Sequence, residues 1–297
     1  MAFDWRRAPI QELMEASNVR LRVFDRPEEI TIAMAVDMIE EIRTNNDRGA
    51  KTCMIVPVGP TEQYIYFSMM VNTLGLDLSN VHFFNMDEYL DDEGQFIPAD
   101  DPLSFRGAMN QYVYDAIDPK YNIPAENRWF PTPGREEEMW ERICGLGGVD
   151  VCYGGIGING HIAFNESADP ATVSVADFGT LPTRKLPLTR ETIATNSRAC
   201  LGEMPRMPRW AMTIGMRECL SARRIVIHAG GPTRAYQLRR AMCGGISPAF
   251  PISYLQGHPD ATLFASADST APLVENKGYL YADNGARDAL GRSVDNG

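Results

Sequence analysis

Six short, nearly continuous apolar runs limit the folds open to this chain more than any other feature. They are CMIVPVG (53–59), VHFFNMDEY (81–89), VDVCYGGIG (149–157), WAMTIGM (210–216), RIVIHAG (224–230) and TLFASAD (262–268). A strand apolar at every position is buried on both faces, which is the environment of a parallel sheet between two helical layers. Helical patterns fall between the runs, at about 61–74, 104–117, 135–145 and 233–243. The clearest helix begins at Asp25 as N-cap, with Pro27 in its first turn and Glu28 three residues on. It carries Ile32, Val36, Ile39 and Ile42 as its stripe and stops near Asn45-Asn46-Asp47. The alternation predicts one α/β domain over 1–297, a doubly wound, mainly parallel, Rossmann-like sheet with helices on both faces. Residues 1–20 and 285–297 read as peripheral tails, and 167–190, rich in Asp, Pro, Gly and Thr, as an inserted loop or lid.

The chain has 297 residues and a formal charge of -11. That balance excludes a general nucleic-acid or anionic-membrane surface, which rewards clustered Lys and Arg. An anionic ligand therefore has to be held locally. The six cysteines have no paired spacing and read as reduced, packed thiols. The N-terminal stretch has no apolar signal core, and no run approaches the ~20 apolar residues of a membrane span, so a cytoplasmic protein is expected. The four histidines form no metal-binding spacing.

In an open parallel sheet, ligands bind beyond the carboxyl ends of the strands, where strand order reverses. Gly59-Pro60-Thr61, Asp87-Glu88-Tyr89, the segment from Gly157 to His161 and the segment from Gly230 to Arg234 all follow predicted strands, so they are expected to face one crevice. A glycine turn or a lone histidine is more often structural than functional. Here GGIGINGHIAFNES (154–167) puts His161 and Glu166 on one loop, with the carboxylate able to steady an imidazole that exchanges protons near neutral pH.

FFNMDEYL (83–90), SFRGAMNQYVYDAID (104–118), GGIGINGHIAFNES (154–167), ATNSRA (194–199), AMTIGM (211–216) and AGGPTRAYQLRRAM (229–242) together resemble the glucosamine-6-phosphate deaminase/isomerase family. The similarity runs in order from about 30 to about 280. Its fold is shared with 6-phosphogluconolactonases and some sugar-sensing regulators. The resemblance implies an aldose-ketose isomerase that releases ammonia from an amino-sugar phosphate and uses neither an organic cofactor nor a metal. It implies Asp87 as the carboxylate moving the C2/C1 proton, His161 as the ring-opening acid/base, and Glu166 and Asn159 as its supports. Gly59, Thr61, Glu88, Gly157, Gly160, Arg198 and Arg234 are implied as substrate or anion contacts, and self-association into a homo-oligomer is implied as well.

Two positions depart from the family pattern. Asn159 stands where the deaminases carry aspartate, removing one charge beside His161. Val58-Gly59-Pro60-Thr61-Glu62 replaces a Thr-Gly-rich phosphate loop, so Pro60 lacks an N–H and Glu62 adds like charge at a helix N-terminus. At the anion site Arg198 and Arg234 can compensate for the altered loop by forked hydrogen bonding to phosphate or sulfonate oxygens. Arg184 falls near a basic allosteric position of the family, but Leu186 replaces the next lysine, so regulation by an acetylated amino-sugar phosphate is not expected. Isomerisation of a non-amino sugar, or of one with another anion, stays open, as does a catalytically silent sugar-binding protein. A lactonase ranks lower, because IAFNE replaces that branch's continuation of its Gly-His motif.

Overall fold

Apolar side chains on alternate residues of each central strand leave the sheet in opposite directions, and both sets are covered. A computed structural model describes residues 3–273. Its strands are β1 (Arg20–Phe24), β2 (Thr52–Val56), β3 (Val81–Asn85), β4 (Asp87–Leu90), β5 (Arg128–Trp129), β6 (Val151–Gly155), β7 (Arg184–Pro187), β8 (Trp210–Thr213), β9 (Arg224–Ala229) and β10 (Ala261–Ser266). Seven of them form an all-parallel sheet in the order β1-β10-β9-β6-β2-β3-β5. The expected doubly wound α/β fold is the one observed.

On one face Met54, Val56, Phe83, Val151 and Tyr153 pack against α2 (Pro27–Asp47), α3 (Glu62–Leu74) and α4 (Phe105–Met109), which continues as a π turn. On the other, Cys53, Ile55, Phe84, Cys152 and Ile227 meet α1 (Ile10–Ala16), α5 (Glu138–Leu146), α8 (Met216–Leu220) and α9 (Ala235–Cys243). Three expected helices, 61–74, 135–145 and 233–243, match α3, α5 and α9 within a few residues.

The chain builds outward from β2 to β3 and β5, then returns to place β6 on the other side of β2. Strand order therefore reverses between β2 and β6, and a crevice opens beyond their carboxyl ends. A side chain on Gly155 would put its Cβ 2.8 Å from the Gly59 carbonyl oxygen, so glycine lets β6 end directly against the loop leaving β2.

The structure corrects five expectations. The 81–89 run is not one strand. It breaks at Met86, and β4 joins β8 and β7 in a separate antiparallel sheet of order β4-β8-β7. The 210–216 run belongs to that second sheet too. Met86 links the two sheets, since its N–H donates to Val56 O (2.9 Å) and its carbonyl accepts Ile214 N–H (2.6 Å). Residues 167–190 are not a plain loop: they hold α6 (Val175–Gly179), the buried Phe178 and Thr183, and β7.

The clearest helix is capped at Arg26 rather than Asp25, with no side-chain cap. Its buried stripe is Ile30, Met34, Met38, Ile39 and Ile42, whereas Ile32 and Val36 are exposed. They lie two positions beyond Ile30 and Met34, roughly 200° round a helix of about 3.6 residues per turn.

Residues 1–20 are not a peripheral tail. Leu13 of α1 is fully buried, and β1, which follows, forms the sheet edge beside β10. The buried Arg239 of α9 donates to the carbonyls of Trp5 (3.1 Å), Ala8 (2.8 Å), Thr270 (2.7 Å) and Ala271 (2.7 Å), tying both ends of the described chain to one helix. The 285–297 tail lies outside the described residues. Leu13→Ala is expected to lower unfolding stability by about 2–5 kcal/mol, as core truncation does and loss of a loose tail does not, read by urea denaturation.

Candidate active site

Beyond the ends of β2 and β6 lies a cavity of about 570 Å³, walled by Pro57–Pro60, Gly155–Ile158, Asp87, His161 and the segment carrying Thr192, Asn196 and Arg198. Arg234 and His228 complete it from the β9 end. Of the residues singled out in the sequence, Gly59, Asp87, Gly157, His161, Arg198 and Arg234 line this space. Glu166 and Asn159 stand directly behind His161.

Asp87 is the first residue of β4, and its carboxyl has no hydrogen-bond partner among the described residues. Burial, reinforced by the neighbouring Glu88 charge, pushes its pKa well above the usual carboxylate range. A carboxyl raised in this way exchanges its proton closer to neutrality, as acid/base work requires.

Glu88 faces the other way, since successive strand residues point to opposite sides. Its oxygens accept from Ser104 Oγ (2.8 Å), Phe105 N–H (3.0 Å) and Arg106 N–H (2.8 Å). Glu88 thus anchors the start of α4, which carries Phe105 into the cavity wall, and is not itself a substrate contact.

His161 Nδ1 lies 3.3 Å from Glu166 Oε2 and 3.4 Å from Thr192 Oγ1. Its Nε2 has no hydrogen-bond partner among the described residues, so this nitrogen is left for proton exchange. Asn159 donates from Nδ2 to Glu166 Oε2 (2.6 Å) and accepts the His161 N–H at Oδ1 (3.2 Å). It therefore fixes the loop and the carboxylate without touching the imidazole ring. The other Glu166 oxygen accepts the Thr189 N–H and hydroxyl, both at 3.2 Å.

Burial works against a charge on Glu166. The hydrogen bond and charge of His161, with donors from Thr192 and Asn159, outweigh it and bring the carboxyl down to about 2. Glu166 is thus a permanent anion behind His161 at physiological pH. Its donors take part of its charge, and the rest stabilises an imidazolium when His161 holds a second proton.

The glycines of this loop serve packing first. A Cβ on Gly157 would fall 2.1 Å from His161 Nε2, so glycine there gives the ring its seat. Gly160, at φ +84°, would drive a Cβ to 2.3 Å from the Phe250 ring, and it lies outside the cavity wall. Thr61 also lies outside the wall. It is the N-cap residue of α3, without a side-chain capping bond, and its N–H donates to Glu62 Oε2 (3.1 Å).

Arg198 and Arg234 approach each other at the other end. Burial, then the Arg198 charge, lowers the Arg234 pKa, and neither guanidinium has an ion-pair partner among the described residues. Two cations held together with no carboxylate bound to them form a place for an anion. Arg184 is committed elsewhere, donating to Asn165 Oδ1 (2.7 Å) and Pro182 O (3.2 Å).

Sequence reasoning passed over His228 and Thr192, while Glu62, singled out there as a like charge in the anion loop, does line the cavity. His228 ends β9, and its place in RIVIHAG at the mouth of a parallel strand was the available signal. Thr192 had none, because it reaches the site through the fold of α7 (Arg190–Asn196).

No family model matches the chain. Its fold is that of a monomeric glucosamine-6-phosphate deaminase, with TM-score 0.72 and 24% identity, covering 85% of this chain and 99% of the other. A 6-phosphogluconolactonase from Trypanosoma brucei has the same fold at TM-score 0.65 and 15% identity, covering 87% and 100%. The fold class is thus the one these sugar-phosphate enzymes share. At higher identity, the chain is 31% identical over 254 residues to the glucosamine-6-phosphate deaminase of Fusobacterium nucleatum, covering 84% of this chain and 88% of that one. It is 32% identical over 264 residues to that of Clostridium perfringens, covering 86% and 100%. The chain belongs to the glucosamine-6-phosphate deaminase family.

A glutamate whose folded pKa lies below its unfolded value of about 4.3 stabilises the fold fully above that value and loses the contribution as pH falls toward 2. Glu166→Gln is therefore expected to flatten the fall in stability between about pH 5 and pH 2, measured by urea denaturation across that range. Asn159→Asp sets a second carboxylate where an amide now donates at 2.6 Å. It is expected to cost about 1–3 kcal/mol at neutral pH, and less after acidification.

Proposed function

We propose that this chain converts an amino-sugar 6-phosphate, glucosamine 6-phosphate or its galactosamine epimer, to the ketose 6-phosphate with release of ammonia. The reading is carried by one arrangement: a proton-exchanging Asp87 and a carboxylate-backed His161 line the same switch-point cavity as Arg198 and Arg234, which have no ion-pair partner among the described residues. Membership of the deaminase family supports the same activity.

His161 Nε2 exchanges the proton of the ring oxygen as the sugar opens, with Glu166 supporting the transient imidazolium. Asp87 then moves the proton from C2 to C1 of the open chain, a step suited to a carboxyl whose pKa is raised by burial; this leaves an iminium at C2, to which water adds, and breaking of the C2–N bond gives the ketone and ammonia. Arg198 and Arg234 hold the phosphate, which fixes the distance from the anion end to the reacting carbons. A cytoplasmic setting goes with this reading. All six cysteines are free, and no helix among the described residues is long and apolar enough to cross a membrane. Self-association belongs to it as well, supported by the exposed Ile65 and Met69 one turn apart on α3; light scattering reads the mass.

Asp87→Asn is expected to lower kcat about 10²–10⁴-fold with KM little changed, in an assay that quantifies ketose and ammonia separately. In the wild type the acid limb of kcat/KM should lie above the ordinary aspartate range, since the base works only when deprotonated. Arg234→Ala is expected to act the other way, raising KM while leaving kcat within a few-fold. Ketose without ammonia would point instead to a non-amino sugar.

A further inference from the structure

Glu62 is a carboxylate in the wall of a cavity whose same end is built to hold an anion. It opens α3 beside Gly59 and Pro60, and it turns back to accept the Thr61 N–H, one of the donors that a helix start would otherwise offer to a phosphate. Pro60 has no N–H to offer. The charged and titratable groups that line the cavity with Glu62 include Glu28 from the start of α2, His228 near the end of β9, Arg198 and Arg234; the charges of Glu62 and Arg234 both act on His228, and that of Arg198 on Arg234. Two guanidiniums and two carboxylates thus line one cavity, with no ion pair between them among the described residues. His228 accepts the Gly230 N–H at Nδ1 (3.3 Å), which leaves its ring proton on Nε2, and burial keeps the ring neutral.

A wall of balanced charge is poorly matched to a dianion and well matched to an anion that still carries a proton. We propose that Glu62 selects the phosphate as its monoanion, accepting a hydrogen bond from the remaining P–OH, and so discriminates against sulfate or sulfonate groups that have no such proton. The two arginines hold the other oxygens, and the P–OH···carboxylate bond is of the short, charge-assisted kind. A phosphate monoester loses its second proton near pH 6, so the selected form is well populated in mildly acid solution and declines above it. Sulfate instead puts bare oxygen against carboxylate, the repulsive element that makes a site specific. The inference names the anion for the functional reading above and rests on that reading's assignment of this end to the phosphate.

The test uses inorganic phosphate and inorganic sulfate as probes, titrated into the full-length protein by calorimetry at about pH 6 and about pH 8.5. Wild-type protein is expected to bind phosphate at least about tenfold more tightly than sulfate at the lower pH, and to lose most of that preference at the higher. Glu62→Gln should abolish the preference and its pH dependence. Glu28→Gln, which removes charge without the P–OH acceptor, should strengthen both anions and leave their ratio unchanged. Sulfate binding as tightly as phosphate, an unchanged ratio in Glu62→Gln, or no binding of either anion would overturn the proposal. The ratio is read without turnover, so a protein that shows it but releases no ammonia overturns the deaminase reading alone.

Discussion

The contact between the end of β6 and the loop leaving β2 is the constraint on which the site depends. Gly155 lies so close to the Gly59 carbonyl oxygen that a Cβ would meet it at 2.8 Å. The two strands belong to halves of the sheet that wind in opposite directions, and their loops part immediately beyond this contact. The crevice is the space left by that parting, so its position follows from topology and its narrow floor from glycine. Gly59, Gly157 and His161 enter the cavity because they are the first residues past the floor.

The small antiparallel sheet supplies what the parallel sheet cannot. A strand that ran unbroken from Val81 to Tyr89 would carry Asp87 away along the β3 direction. The break at Met86 turns the chain, and the bonds of Met86 to Val56 and Ile214 lock the corner. Asp87 then begins β4 with its carboxyl over the crevice, and Glu88 on the opposite face caps α4. The same sheet receives β7, so the 167–190 region that separates the histidine loop from α7 is held in place rather than hanging as a flap.

Environment gives two carboxylates of the site opposite behaviours. Asp87 is buried without a hydrogen-bond donor among the described residues and holds its proton well above the usual range, whereas Glu166 is buried among donors and is anionic down to about pH 2. Separating such groups by burial and hydrogen bonding is how a single site runs both acid and base steps. Asn159 belongs to this scheme as a donor to Glu166, a role a carboxylate could fill only when protonated.

The sequence alone determined the main parallel sheet, because a strand apolar at every position needs cover on both faces, and it put GGIGINGHIAFNES at the end of one such strand; the break at Met86 that brings Asp87 of NMDEY to the same crevice was decided by the fold. The sequence also marked Arg198 and Arg234, through motifs that keep their order along the chain. Periodicity misplaced the stripe of α2, since Ile32 and Val36 are as apolar as the residues that are buried, and the sheet and the neighbouring α3 decide which side turns inward. Tertiary structure alone decided that Glu88 caps a helix while Asp87 faces the cavity, that residues 8–19 bury Leu13, and that Thr192 and His228 reach the site. Each of these depends on which segments distant in sequence pack together, and one-dimensional apolar patterns record that a side chain is covered without recording what covers it.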